Sequence, residues 1–216
     1  TADPDITADV ADLFNFVTGF GRPRKFRKIL IAPFHLRKRL VDHIREVAEA
    51  AAAGKHARIR IKVNNLTDPA VAEELYKASE AGAEIDLIVR AICTVRPGVE
   101  GLSERIRVRS VLGRFLEHSR LFCFEADEKQ TYLLGSADLM PRNLDHRIEV
   151  VVPVDDARVQ AELDTIFKAL LADNTNAWEL RADGAWERVR PKKSERKRPA
   201  QGIFMRRRER ARRLSL

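Results

Sequence analysis

Cysteine is scarce in this chain, with only Cys93 and Cys123 among 216 residues. Two thiols exclude a disulfide framework, and no Cys/His spacing resembles a zinc site. Both sit in apolar segments and read as buried, reduced thiols, which suits a cytoplasmic protein. No apolar run approaches the roughly 20 residues that a membrane helix needs. The first residues, Thr1 to Asp5, are acidic and lack the basic and apolar blocks of a signal peptide. They also lack an initial Met, so a longer polypeptide upstream is expected. Aromatic residues make up 6% of the chain, which does not suggest stacking recognition of single-stranded nucleic acid.

What is present is charge, and it is unevenly placed. One third of the residues are Asp, Glu, Lys or Arg, and the net charge is +8. From Arg190 to the end there are 12 Lys/Arg and 2 Asp/Glu, so this segment carries +10 and the 189 residues before it carry −2. The body is therefore not a basic protein. A polyanion partner must be argued from local residues of the body or from the tail alone.

The hydrophobic pattern alternates between strand and helix. Residues 6–20 read as a short amphipathic helix with Val10, Leu13, Phe14 and Val17 on one face, followed by a basic linker over 22–28. Apolar residues 28–32 are a strand, and 35–53 the clearest helix, with Leu36, Leu40, Ile44 and Val47 as its buried face. Residues 58–63, alternating Arg/Ile/Arg/Ile/Lys/Val, form a second strand. A helix over 69–81 and a strand over 84–92 follow. This β-α-β-α-β order predicts a mostly parallel sheet with right-handed crossovers. The second half is strand-rich, with strands near 106–111, 120–124, 131–134 and 147–153. A helix over 155–172 then buries Val159, Leu163, Ile166, Phe167 and Leu170. Residues 190–216 have few apolar anchors and read as a largely disordered tail, helical at most near its end.

Chemistry concentrates in Arg114-Phe-Leu-Glu-His118-Ser-Arg120. On an extended chain His118 and Arg120 point the same way. About 15 residues later come Gly135-Ser136-Ala-Asp138 and Pro141-Arg142-Asn143-Leu-Asp-His-Arg147. A histidine with an ordinary pKa near ~6.5 can shuttle protons or phosphoryl groups. Arginines hold phosphate oxygens, and Gly/Ser turns expose backbone N–H groups to them. The pattern resembles a His-x-Lys … Gly-Ser-x-Asn half-site of the phospholipase D superfamily, with Arg120 where the lysine usually stands. Read locally, a surface histidine beside Glu117 accounts for His118 equally well.

The wider sequence resembles the long, histidine-using polyphosphate kinase family from about residue 1 to residue 172. The strings that carry this are Ala32-Pro-Phe-His-Leu-Arg-Lys-Arg39, Ile61-Lys-Val-Asn-Asn-Leu66, Asp86-Leu-Ile-Val-Arg-Ala-Ile-Cys93, Arg114-Phe-Leu-Glu-His-Ser-Arg120 and Gly135-Ser-Ala-Asp-Leu-Met-Pro-Arg-Asn143. Shorter matches at Arg96–Gly98, Gly101–Glu104 and Ile106–Ser110 support them. The resemblance implies an α/β fold with a phospholipase D-like mixed, largely parallel β-sheet flanked by helices. Residues 1–27 would be a helix and linker from a preceding domain, 28–189 the C-terminal catalytic domain, and 190–216 the basic tail.

The resemblance also implies roles. Arg90 and Arg147 would contact phosphates of ATP, and His118 would act as acid/base or as a phosphate contact. Arg120, Ser136, Arg142 and Asn143 are candidates for supporting phosphate contacts. Without the family, Arg90 could instead make a salt bridge at the core edge, and Arg147 an ion pair with Asp145 or Glu149. The phosphorylated histidine, the adenine-binding parts and the magnesium ligands are expected upstream of this chain, so Mg2+ has no expected ligand here. The whole enzyme would move the terminal phosphate of ATP reversibly onto polyphosphate, as a homo-oligomer in the cytoplasm or at the inner membrane face. This chain alone, with one histidine half-site, is expected to fold but not to make polyphosphate. Two other readings stand beside this one: a phospholipase D-type phosphodiesterase or nuclease, and a non-catalytic module whose basic tail binds polyanions.

Overall fold

The protein is described here by a computed structural model covering residues 2–21 and 25–214. Part of the expected linker, residues 22–24, lies outside the described residues. The elements in order are α1 (Pro4–Val17), β1 (Leu30–Ala32), α2 (Leu36–Ala52), β2 (Ala57–Val63), α3 (Pro69–Glu80), β3 (Glu84–Val89) and β4 (Ile106–Val111). Then come β5 (Arg120–Ala126), β6 (Lys129–Gly135), α4 (Pro141–Asp145), β7 (Glu149–Pro153), α5 (Ala157–Leu171), β8 (Ala177–Leu180), β9 (Trp186–Arg188) and α6 (Ala200–Leu214). No helix among the described residues is long and apolar enough to cross a membrane.

All nine strands form one mixed sheet, ordered β1-β7-β6-β5-β2-β3-β4-β8-β9. The expected largely parallel sheet is corrected in one respect: only β2–β3 and β3–β4 pair in parallel, and the other pairings are antiparallel. The reason is the β5–β6 hairpin. Its two-residue turn places Asp127 at φ 55°, a conformation that Asp tolerates better than most residues. The hairpin and β7 occupy the positions between β1 and β2, so the α2 crossover joins strands that are not neighbours.

Two layers of apolar side chains sandwich the sheet. On one face Ile59, Ile61, Val63, Ile85, Leu87, Phe122 and Phe124 pack under α2 and α3. On the other, Ile88, Leu121, Cys123 and Tyr132 pack under Leu163, Phe167 and Leu170 of α5. The charged residues of β2 lie on this second face. Arg60, beneath α5, and Lys62 are buried rather than solvated, while Arg58 is half-buried. Arg60 pairs with Glu125 at 2.8 Å and Asp164 at 2.5 Å, and its guanidinium lies 5.1 Å from the Phe167 ring centre. Breaking such a pair on one side leaves a buried charge, so this network fixes how α5 sits on the sheet.

Two expectations about faces are corrected. On α1 only Leu13 and Asp9 are buried, while Val10, Phe14 and Val17 stay exposed. Alongside Leu13, which packs on Ile29 and Ile31, a polar anchor holds α1: the Asp9 carboxylate accepts the backbone N–H groups of Arg27, Lys28 and Ile29 at 2.7–3.1 Å. On α5, Val159 in the first turn is exposed. His43 on α2 is half-buried, its ring stacked 5.2 Å from Phe124.

The chain end also departs from expectation. The hairpin β8–β9 extends the sheet edge, and residues 200–214 form a helix docked on α5 rather than a disordered tail. Its anchors are polar. Asp173 accepts the Ala200 N–H at 2.7 Å, and Asn174 bonds the backbone of Arg196 and Arg198. Ala200 is buried, and Phe204 packs against the α5 cluster. These anchors offset the ordering entropy that composition alone leaves uncompensated.

Candidate active site

The topology gathers the chemistry-bearing segments at one rim. Parallel β2 and β3 end there, delivering Asn64, Asn65 and Arg90. Antiparallel β5 begins there just after His118, and β6 ends there with Ser136 and Asp138 close behind. The loops are tied together: Leu66 bridges both Cys93 and Leu139, and Ala91 N–H donates to Asn64 C=O at 2.8 Å.

Asp138 is the hub. It is 5% exposed and accepts the Asn64 N–H at 2.7 Å and the Arg120 guanidinium at 3.2 and 3.3 Å. Burial opposes its charge, but the Asn64 N–H, Arg120 and Asn65 outweigh this and hold the carboxyl below its ordinary range. Arg120 in turn donates to His118 Nδ1 and to its carbonyl, both at 2.8 Å. An arginine has only donors, so Nδ1 meets it with its lone pair and the ring N–H is on Nε2. The chain Asn64–Asp138–Arg120–His118 thus sets both the orientation and the tautomer of an exposed histidine.

Lys62 is a second, unforeseen participant. It is 2% exposed, donates to Ser119 C=O at 3.1 Å, and stands 3.4 Å from a Glu117 carboxylate oxygen. Burial lowers its pKa. Glu117 offsets this in part, while Arg90 and Arg120 reinforce it. The residues before and after His118 are therefore both held from below. Sequence alternation placed Lys62 on the same strand face as Arg58 and Arg60, but nothing local showed that this face was covered.

The expected phosphate contacts divide into two groups. Arg90 is half-buried, and among the described residues its guanidinium bonds only the Glu117 carbonyl, at a long 3.5 Å, with no core-edge salt bridge. Arg142 and Arg147 are exposed and have no ion-pair partner among the described residues. The alternative partners of Arg147 are engaged elsewhere: Asp145 pairs with Arg37, and Glu149 bonds Ser136 and Asn143.

In contrast, Arg120, Ser136 and Asn143 are committed inside the protein. Ser136 Oγ donates to Glu149 and accepts from Val150 N–H, and its own N–H is taken by Val150 C=O. Asn143 is buried against Glu149. Gly135 is also structural, because a Cβ there would lie 2.3 Å from Val150 O. These residues shape the rim and spend most of their side-chain donors on it.

The carboxylates near the rim are likewise occupied, Asp138 by Arg120, Glu149 by Ser136 and Asn143, and Glu117 by Lys62. Magnesium prefers unpaired oxygen ligands. Among the described residues no three His, Cys, Asp or Glu converge, and this donor set does not fit the ion. A cleft of about 720 Å³ between β4 and β8 shares no lining residue with the rim. Its arginines are paired, Arg58 and Arg107 with Asp86 and Arg109 with Glu179.

The family model for the polyphosphate kinase C-terminal domain 2 matches residues 29–201. The chain belongs to the polyphosphate kinase family. It is 47% identical over 204 residues to the polyphosphate kinase of Synechocystis sp., covering 94% of this chain and 28% of that protein. It is 49% identical over 188 residues to that of Streptomyces coelicolor, covering 87% and 25%. The crystal structure of the polyphosphate kinase from Porphyromonas gingivalis superposes with a TM-score of 0.91 at 36% identity, over 95% of this chain and 32% of that one. The chain thus spans about a quarter to a third of these kinases. Nuc from Salmonella typhimurium, a phospholipase D family member, matches at TM-score 0.51 and 13% identity over 71% of this chain and 97% of its own, a likeness of fold.

Proposed function

We propose that this chain forms one wall of a site that moves the terminal phosphoryl group of ATP to the end of a polyphosphate chain, and back. The reading is supported by family membership and rests on one observation above all. His118 is oriented by Arg120 at a rim whose remaining cations, Arg90, Arg142 and Arg147, have no carboxylate partner among the described residues. Unpaired arginines at an exposed rim suit the oxygens of polyphosphate and nucleotide phosphates.

In this reading the bond from the γ-phosphorus to its bridging oxygen breaks and ADP leaves. The phosphoryl group is carried on a histidine in the rest of the polypeptide and then bonds a terminal polyphosphate oxygen. His118 Nε2–H donates a hydrogen bond to a phosphate oxygen and holds it in place. Arg90 and Arg147 hold equatorial charge. Phosphoryl transfer is mostly positioning and electrostatics, so these donors carry as much of the rate as the nucleophile. Magnesium, which supplies charge neutralisation when bound, would take its ligands elsewhere in the polypeptide.

The test is ATP-dependent polyphosphate synthesis by the full-length protein, with wild type, Arg90→Ala, His118→Ala and Arg147→Ala. Loss of about 10²–10³-fold in kcat for His118→Ala or Arg90→Ala is expected. Wild-type rates in both variants would remove the site assignment. Phosphodiester cleavage without nucleotide, in place of synthesis, would favour the phosphodiesterase reading.

A further inference from the structure

We infer that Gln201, on the first turn of α6, is a positioning residue for His118. Its side-chain amide grips the loop ahead of the histidine with both of its ends. Gln201 Oε1 accepts the Phe115 N–H at 3.0 Å, and Nε2 donates to Phe115 C=O at 2.8 Å. The second Nε2 hydrogen reaches Glu117 Oε1, also at 2.8 Å. Three bonds thus join residues 84 to 86 positions apart, through a side chain only 7% exposed.

The grip continues toward the histidine. The other Glu117 oxygen faces Lys62, Lys62 holds Ser119 C=O, and Arg90 bonds Glu117 C=O. Residues 115, 117 and 119 are each fixed, and His118 is the exposed residue between the last two. Residues 112–116, by contrast, have exposed side chains and no strand pairing of their own. Without Gln201 nothing described on α6 would hold them. Gly113 fits the same account: a Cβ there would come within 2.4 Å of Gln201 Oε1. The helix bearing Gln201 is itself pinned at Ala200 by Asp173. The C-terminal segment therefore works by geometry at the site, and its arginines beyond Met205 are not what the site uses.

The activity part of the test rests on the kinase reading, and the exchange part does not. In the full-length protein, Gln201→Ala, Gln201→Glu, Gly113→Ala and a truncation after Met205 are compared with wild type. Hydrogen exchange is followed in the peptide spanning 113–119. Gln201→Ala is expected to speed exchange there while β3 and β4 keep their protection, and to lower kcat about 10–100-fold with KM for ATP little changed. Gly113→Ala should do the same more weakly by displacing the amide. Gln201→Glu should recover activity as pH falls, because the protonated carboxyl regains a donor toward Glu117. The truncation, which keeps Gln201, should behave as wild type.

Unchanged exchange at 113–119 in Gln201→Ala would overturn the proposal, as would a wild-type kcat, or a loss matched by the truncation. A general loss of protection across the sheet would also overturn it, by making Gln201 a fold residue only. If the wild type makes no polyphosphate, the kinase reading fails while the exchange result still decides the positioning role.

Discussion

Replacing Asp138 with alanine removes the common acceptor of the Asn64 N–H, the Asn65 amide and the Arg120 guanidinium. Arg120 has a side chain only 13% exposed, so it becomes a largely buried cation without its anion. Breaking a buried pair on one side costs about 3–5 kcal/mol. The orphaned Asn64 N–H belongs to the same loss and is not added to it. A domain of this size holds about 5–15 kcal/mol in all, so Asp138→Ala should remain folded but with a markedly lower urea midpoint. Arg120→Met should cost less, because Asp138 keeps its backbone N–H. The double variant should then lose about 1–3 kcal/mol less than the sum of the singles. The pH dependence has a definite sign. The folded carboxyl lies below its ordinary value of 3.8, so its contribution is complete above that value and lost as pH falls through the lower, folded one. Asp138→Ala should flatten this acid limb. Urea titrations of the four proteins at pH 7 and across pH 2–5, followed by far-UV circular dichroism, provide the measurement. A cost below about 1 kcal/mol for Asp138→Ala, or additivity within about 0.5 kcal/mol, would refute the hub.

Other consequences are equally direct. Gly135→Ala should destabilise by about 1–3 kcal/mol or more, because the new Cβ meets backbone of β7 that cannot swing aside; a melting temperature equal to wild type would contradict this. His43 is held below its ordinary 6.5 by burial first and Arg39 second. Its contribution is therefore full above 6.5 and lost as pH falls through the folded value. His43→Leu should weaken the pH dependence of the melting temperature below 6.5, and an unchanged profile would argue against the buried, neutral ring. Burial pushes both thiols up to about 11, so Cys93 and Cys123 should react with a disulfide reagent at pH 8 only on unfolding. Rapid labelling of the native protein would show that they are open.

Much of this was legible in the sequence because it is local. Helices α2, α3 and α5 announce themselves by a 3.6-residue apolar period, and strands β2 to β7 by alternation and turn residues, with ends displaced by only a few residues. The motif strings identified the family before any fold was in hand, and His118, Arg90 and Arg147 came with them. The sheet's actual order did not, since β1 has the same apolar look whether it pairs with β2 or, as here, with β7. Hairpin β8–β9 is too short and too charged to carry a strand pattern.

The sequence by itself determined where the chain could be helix or strand, which residues were chemically equipped for phosphate, and which family it joined. Only the tertiary structure decided which of those residues were free to act. Arg120, Ser136 and Asn143 look as able to bind phosphate as Arg90 and Arg147, yet most of their donors are already taken. Lys62 and Gln201 look like surface residues, yet one is sealed under the rim and the other reaches back across the fold to hold it. A side chain's chemistry is fixed by its own atoms. Its availability depends on partners brought near by the fold, and these lie tens of residues away, where no local pattern records them.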